Sequence, residues 1–184
     1  MKVVCLALAA AQLSPCVQAP SWRPLATEAD RERVRGWRSA WTQALDGARE
    51  AGTPAPADAL FDPDRAMENP LPPSGNYRCR FVKLGAVAGL ATREWGRCVV
   101  GDGTFAKTDG PQRPTGRLLP DDTTRGVFLG TLRLDDEARP IRYGRDRRRD
   151  MVGLVQRIGE ARWRIAMPRP GFESTLDLLE LTPA

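Results

Sequence analysis

The sequence predicts a mainly β fold: an antiparallel meander closing into a small barrel, with an N-terminal amphipathic helix packed on it. Three observations carry this. From Gly75 onward the apolar residues alternate with polar ones, the spacing of a half-buried strand. Gly, Pro or acidic turns interrupt that pattern at short intervals, so neighbours in sequence become neighbours in space. Before it, one segment repeats its apolar residues at helical spacing. A long meander closes into a barrel because closure removes its edges.

Composition bounds the rest. The chain has 184 residues, 28 Lys+Arg against 23 Asp+Glu, four Cys, five Trp and no His. The length suits one domain with an appended element. The 41% hydrophobic content supports a packed core. Without His, Ser-His-Asp and Cys-His catalysis and every His-ligated metal site are excluded.

Lys2 and the apolar run Val3 to Ala11 have the layout of a secretory signal. The run is shorter than the roughly 20 residues a transmembrane helix needs. The expected organisation is a signal peptide over 1–19, a helix and Pro-rich linker over 20–74, and a barrel domain over 75–184. The expected location is periplasmic, with no transmembrane segment. A lipoprotein attachment at Cys16 is spoiled by Pro15. Signal removal takes Cys5 and Cys16 and leaves Cys79 and Cys98, an even pair expected to form a disulfide.

Thr27 is the expected helix N-cap. Val34, Trp37, Trp41, Leu45 and Ala48 then share one stripe of a helix of about six turns, ended at Gly52. The Trp face covers the domain or docks a partner. Thr53 to Ser74 carries Pro54, Pro56, Pro63, Pro70, Pro72 and Pro73, too many for regular structure. It reads as a surface linker with one helical turn at Asp62–Met67.

The expected strands are Asn76–Leu84, Arg93–Val100, Thr104–Thr108, Gly116–Leu119, Gly126–Leu134, Pro140–Tyr143, Met151–Ile158, Arg162–Met167 and Phe172–Leu181. A two-residue turn at Gly159-Glu160 pairs Gln156 with Trp163, Leu154 with Ile165 and Val152 with Met167. That register sends Arg157, Arg162 and Arg164 outward. A second register pairs Cys79 with Cys98, Phe81 with Gly96 and Lys83 with Glu94.

Candidate binding groups follow from these faces. Gln156, Trp163, Tyr143, Ser174 and Lys107 are the inward-facing polar candidates for a small ligand in the barrel. Arg142, Arg145, Arg147, Arg148 and Arg149, with Arg139, form a basic run that suits anions, because guanidinium is a bidentate anion receptor. Carboxylates Glu173, Asp177 and Glu180 share the last strand, and Asp135, Asp136 and Glu137 form a turn. No G-x-S-x-G elbow, S-x-x-K or phosphate loop occurs, so no cofactor is expected. Nucleic acid fits poorly, because the net charge of +5 is mild and the basic run is interleaved with Asp146 and Asp150.

The leading expectation is non-enzymatic binding of a small hydrophobic, lipid-like or anionic envelope ligand in the barrel. The alternatives are an interaction module using the Trp helix face or the Arg-rich loop, and an enzyme using Tyr143, Arg145 and Asp146 or Glu173 and Asp177. The protein partner is not specified by any motif.

Several stretches together resemble one family. They are Asp30 with Trp37 to Trp41, Tyr77-Arg78-Cys79-Arg80 with Lys83-Leu84-Gly85, and Gln112-Arg113-Pro114. Val127 to Thr131, Arg142 to Asp146, and Phe172-Glu173-Ser174 add to them. The family is the small exported bacterial proteins of domain of unknown function 4893. The resemblance runs from about Trp22 to Ala184 and implies an envelope protein that keeps Cys79 and Cys98. It implies no activity. The Leu90–Trp95 stretch is shorter than the family's loop. Gly75-Asn76-Tyr77 is also similar to the G-x-W of lipocalin-type barrels, with Tyr in place of Trp.

Overall fold

A computed structural model describes residues 21–86, 89–134 and 137–184. The signal-peptide reading of 1–19, with Cys5 and Cys16, lies outside the described residues, as do Asp135 and Asp136.

The Thr27 hydroxyl accepts from the Asp30 amide at 3.2 Å and starts the first helix, α1 (Glu28–Arg35). The single long helix expected from sequence is two. Gly36 caps α1, its amide bonding to the Glu32 carbonyl, and α2 (Trp37–Glu50) starts directly after it. Glycine is a poor helix former, and the apolar stripe continues across the break. Val34, Ala40, Trp41, Ala44 and Ala48 are buried. Gly52 takes the left-handed conformation, φ 73°, just past the end of α2.

Nine strands follow: β1 (Gly75–Ala86), β2 (Gly89–Thr92), β3 (Gly96–Gly101), β4 (Thr104–Lys107), β5 (Gln112–Pro120), β6 (Gly126–Leu134), β7 (Asp150–Gly159), β8 (Arg162–Pro168) and β9 (Leu176–Pro183). β3 to β9 run as an antiparallel meander, and β9 pairs with β1 from Tyr77↔Pro183 to Leu84↔Leu176, closing the barrel. β2 is the extra strand. It pairs with the second half of β1 while β3 pairs with the first half. The chain therefore forms an eight-stranded closed antiparallel barrel with one added strand and a helical layer.

Three strand expectations are corrected. Arg93–Val100 is shortened to β3: Arg93 to Trp95 belong to no strand, and β2 ends before them at Thr92. Pro140–Tyr143 is irregular chain that enters a turn at Tyr143, whose side chain is drawn outward to α1. The last strand begins at Leu176 instead of Phe172.

Both hairpin registers shift. Tyr77 lies opposite Cys98 and Cys79 opposite Gly96, two residues from the expected pairing. A shift of two keeps the face, and Cys79–Cys98 forms as a diagonal bridge with Cα atoms 5.9 Å apart. In β7–β8, Gln156 pairs with Arg164 and Val155 with Ile165, a slip of one that reverses the faces. An irregularity between Arg157 and Gly159 absorbs the extra residue.

The core has two layers. Inside the barrel, Tyr77, Phe81, Phe105, Phe128, Trp163 and Ile165 belong to one packed cluster. Outside it, Trp41 packs with Leu60, Val82, Leu84, Ile158 and Leu178. Trp22 and Val34 cover Val127, Val152 and Leu154. The Trp helix face is therefore covered by the barrel: Trp41 is 1% exposed, and Trp37 meets it edge-on at 5.9 Å.

The Pro-rich segment is not a surface linker. Leu60 is fully buried beneath it, and Asp62 makes a turn to the Asp64 and Arg65 amides instead of capping a helix. Arg164, expected outside in solvent, is 0% exposed and holds this segment down. It donates to the carbonyls of Ala59 (2.8 Å), Leu60 (3.1 Å), Asp62 (2.7 Å) and Arg65 (3.0 Å), and to Gln156 Oε1 (2.9 Å). Its plane lies 4.7 Å over the Trp41 ring. Burial lowers its pKa to about 10.

Candidate functional site at the open end of the barrel

The two ends of the barrel differ. At one end the chain before β1 crosses the opening. Leu71 packs on the interior cluster, Tyr77 donates its hydroxyl to the Pro73 carbonyl at 2.7 Å, and Tyr77 meets Trp163 edge-on at 5.9 Å. That end is plugged.

The other end opens into a cleft of about 720 Å³. Phe81 from β1, Trp95 from the gap between β2 and β3, Lys107 at the end of β4, Gln112 at the start of β5 and Leu134 at the end of β6 line it. A volume of this size suits one small molecule. Beneath it a cavity of about 10 Å³, the size of a single water site, is lined by Lys83, Leu132, Met151, Phe172 and Asp177.

Charge at this mouth is arranged in pairs. Lys83 is 2% exposed and sits 3.0 Å from Asp177 and 3.6 Å from Glu173. Ser174 donates to the other oxygen of Asp177. Burial pushes the Asp177 carboxyl above the usual range, opposed by the Lys83 ammonium. On the facing wall, Lys107 donates to the Asp109 carbonyl and carboxylate, both at 2.6 Å. Burial alone would raise Asp109. The Lys107 ammonium and the Arg97 amide outweigh it and hold the carboxyl low. The side-chain ends of Lys107 and Asp109 lie close over Gly96, and a Cβ there would displace them. Trp95 is held between Arg78 and Arg80, whose guanidinium carbons lie 4.9 and 4.5 Å from its ring.

The loop 169–175 forms one lip of the mouth. Arg169 and Glu173 both have positive φ, 47° and 67°, an uncommon conformation outside glycine. Arg148 stacks over Phe172 at 5.6 Å.

Of the five candidates for the interior, Lys107 lines the mouth and Ser174 holds Asp177 at its lip. Trp163 is interior but at the plugged end, with its indole nitrogen buried and without a hydrogen-bond partner. Gln156 and Tyr143 are corrections. Gln156 faces outward onto Arg164, because of the register slip. Tyr143 lies outside against α1, donating to Asp30 at 2.5 Å and accepting from the Thr27 amide at 3.0 Å.

Among the arginines, Arg149 pairs with Glu137 at 2.7 Å and Arg148 covers Phe172. Arg142, Arg145 and Arg147 are exposed, and Asp146 caps the Arg148 amide. Tyr143, Arg145 and Asp146 do not converge. Glu173 and Asp177 do, on Lys83.

The residues missed by the sequence reading are Lys83, Phe81, Trp95 and Gln112. A signal for two mouth positions was present. Lysine is used three times in a chain with 28 Lys+Arg, and two of the three, Lys83 and Lys107, are the buried cations of the mouth. A compact ammonium suits a narrow buried pair better than a guanidinium fork.

A model of the family described as domain of unknown function DUF4893 matches residues 22–181. The chain belongs to this family. No curated protein and no solved structure matches it. The DUF4893 match spans the helical layer, the plugging segment and every strand through most of β9, so the mouth and the Arg164 contacts lie within the family's domain. Among the described residues of this DUF4893 chain, no helix is long and apolar enough to cross a membrane, and no set of three Cys, Asp or Glu gathers to hold a metal ion.

The Tyr143 contact gives a pH test of the outer layer. Burial, and then the Asp30 carboxylate, push its hydroxyl up to about 12. The unfolded value is about 10, so the folded chain holds this proton over a range where the unfolded chain has lost it. The stabilisation is fully present below pH ~10 and is lost as pH rises through ~12. The thermal midpoint of the wild type is expected to fall more steeply across that window than that of Tyr143→Phe. Parallel curves would show that the Tyr143–Asp30 contact does not set the hydroxyl's pKa.

Proposed function

We propose that this domain binds a small amphipathic molecule at the open end of the barrel, in the exported compartment that the N-terminal residues suggest. One observation carries the reading. The interior is packed and plugged at one end, and the single-water cavity and the 720 Å³ cleft both lie at the other. The binding role expected for the whole barrel interior thus contracts to its mouth.

The lining favours the chemistry of the ligand. Phe81, Trp95, Pro111 and Leu134 offer apolar surface for its body. Both buried cations are already paired with carboxylates. Glu173 is half-exposed and among the described residues has only long ionic contacts, 3.6 Å to Lys83 and 3.8 Å to Arg93, so it retains accepting capacity. The head group that fits is cationic or hydrogen-bond donating.

Octylamine serves as the probe in a calorimetric titration. Saturable binding is expected, weakened about tenfold by Glu173→Gln through loss of one charge-assisted contact. Trp95→Ala removes an apolar wall and weakens it further. Binding unchanged by both variants would place the probe elsewhere and defeat the proposal.

A further inference from the structure

The mouth is not the only concavity. A groove of about 450 Å³ lies on the outer side of β4, β5 and β6, against the chain before α1 and the loop before β7. Its floor is Leu119 and Leu129, buried at 3% and 5% exposure. Its rim carries Leu25, 44% exposed, and Pro140. The helices pack chiefly on β1, β2 and β7 to β9, and leave this side of β4 to β6 to the chain before α1.

The charge of the groove is unlike that of the mouth. Among the described residues, Arg117 is the one charged residue lining it, and no carboxylate lines it. Among the described residues Arg117 is exposed and has no acidic partner. Arg139 and Arg142, also exposed, flank the lining residues Pro140 and Tyr143 in sequence. The Tyr143 hydroxyl is not available, because Asp30 and the Thr27 amide occupy it. Thr131, 4% exposed, lines the groove with a hydroxyl that has no hydrogen-bond partner among the described residues, an uncommon state for a buried polar atom.

We infer that this outer groove is a second binding site, independent of the mouth, for a free single-chain amphipathic anion of the fatty-acid class. The apolar floor takes the chain, which is released from water. The uncompensated Arg117 guanidinium takes the carboxylate with two parallel hydrogen bonds. A groove of this volume holds one chain, which favours a free monomer over a two-chain lipid in a bilayer.

Dodecanoate at pH 8, kept below its micelle concentration, is the probe for calorimetry on the full chain. The expected result is one saturable site. Arg117→Gln weakens it about tenfold, Thr115→Trp fills the groove and abolishes it, and Trp95→Ala at the mouth leaves it unchanged. Dodecanol binds at least tenfold more weakly than dodecanoate. Circular dichroism melts confirm that each variant is folded, and Arg117→Lys, which keeps the charge, recovers part of the affinity.

The inference is overturned by any of four results. They are no saturable site, Arg117→Gln binding as tightly as wild type, dodecanol matching dodecanoate, or loss of binding in Trp95→Ala. Retention on phosphatidylglycerol vesicles that depends on Arg117, without binding of monomeric dodecanoate, would also overturn it in favour of a membrane contact.

Discussion

Arg164→Met is expected to lower the unfolding free energy by about 4 kcal/mol, a loss that for a domain of this size moves the melting midpoint by roughly 10 °C. Among the described residues the side chain has no carboxylate partner. Its value lies in its acceptors: four backbone carbonyls of the Pro-rich segment and the amide oxygen of Gln156. A segment with this many prolines lacks the donors to satisfy its own carbonyls. Methionine fills a similar volume and donates nothing, so those oxygens are left buried or must let water in, at about 1–3 kcal/mol each before relaxation. Removing the desolvated guanidinium returns part of that loss.

Arg164→Lys is expected to fall between the two, because one ammonium cannot span the fork. Urea denaturation measures the effect, and hydrogen exchange locates it in residues 58–66. A loss below about 1 kcal/mol would show that the segment is held by Leu60 and Trp41 alone.

The Cys79→Ala/Cys98→Ala double variant is expected to lose about 3 kcal/mol in the chain-entropy account of a loop this long. The sequence separation is 19, and both residues are buried, so cavity terms add to the loss. The bridge ties the first half of β1 to β3, where β1 changes partner from β2 to β3. Loosening this junction is expected to reach the mouth, because Trp95 lies in the gap between β2 and β3 and Gly96 opens β3. The expected signature is therefore a lower denaturation midpoint together with weaker octylamine binding. A stability loss with unchanged binding would separate the bridge from the site.

The residues made some parts of this molecule legible and hid others for identifiable reasons. β6 matched its expected range, Gly126–Leu134, because its apolar run and flanking turns allow one reading. The disulfide was legible although its register was not, because an error of two keeps Cys79 and Cys98 on the same face. The β7–β8 register failed for a physical reason. The expected register rests on one apolar and one polar face, but the barrel interior buries one side of this hairpin and the Pro-rich segment and α2 bury the other. With both faces buried, alternation carries no information.

Arg164 was misplaced by the same assumption that charge means solvent. The Asp30–Tyr143 contact joins residues 113 apart in sequence, and no local pattern encodes it. The mouth assembles from the ends of several strands, so its residues are scattered along the chain. The scarcity of lysine was the clearest trace of it, and it becomes meaningful only once Lys83 and Lys107 are seen to face one opening.

The five tryptophans offer the most direct test of the binding site. Trp95 lines the mouth, Trp163 lies in the plugged interior, and Trp22 shares the outer cluster with Leu119 and Leu129, the floor of the outer groove. Their indole resonances in a nitrogen–proton NMR spectrum of the full chain, titrated with octylamine, report the three places separately. The account predicts a saturable shift of the Trp95 indole while Trp163 and Trp22 stay in place. A shift of Trp163 with Trp95 unmoved would put the ligand inside the barrel and contradict it.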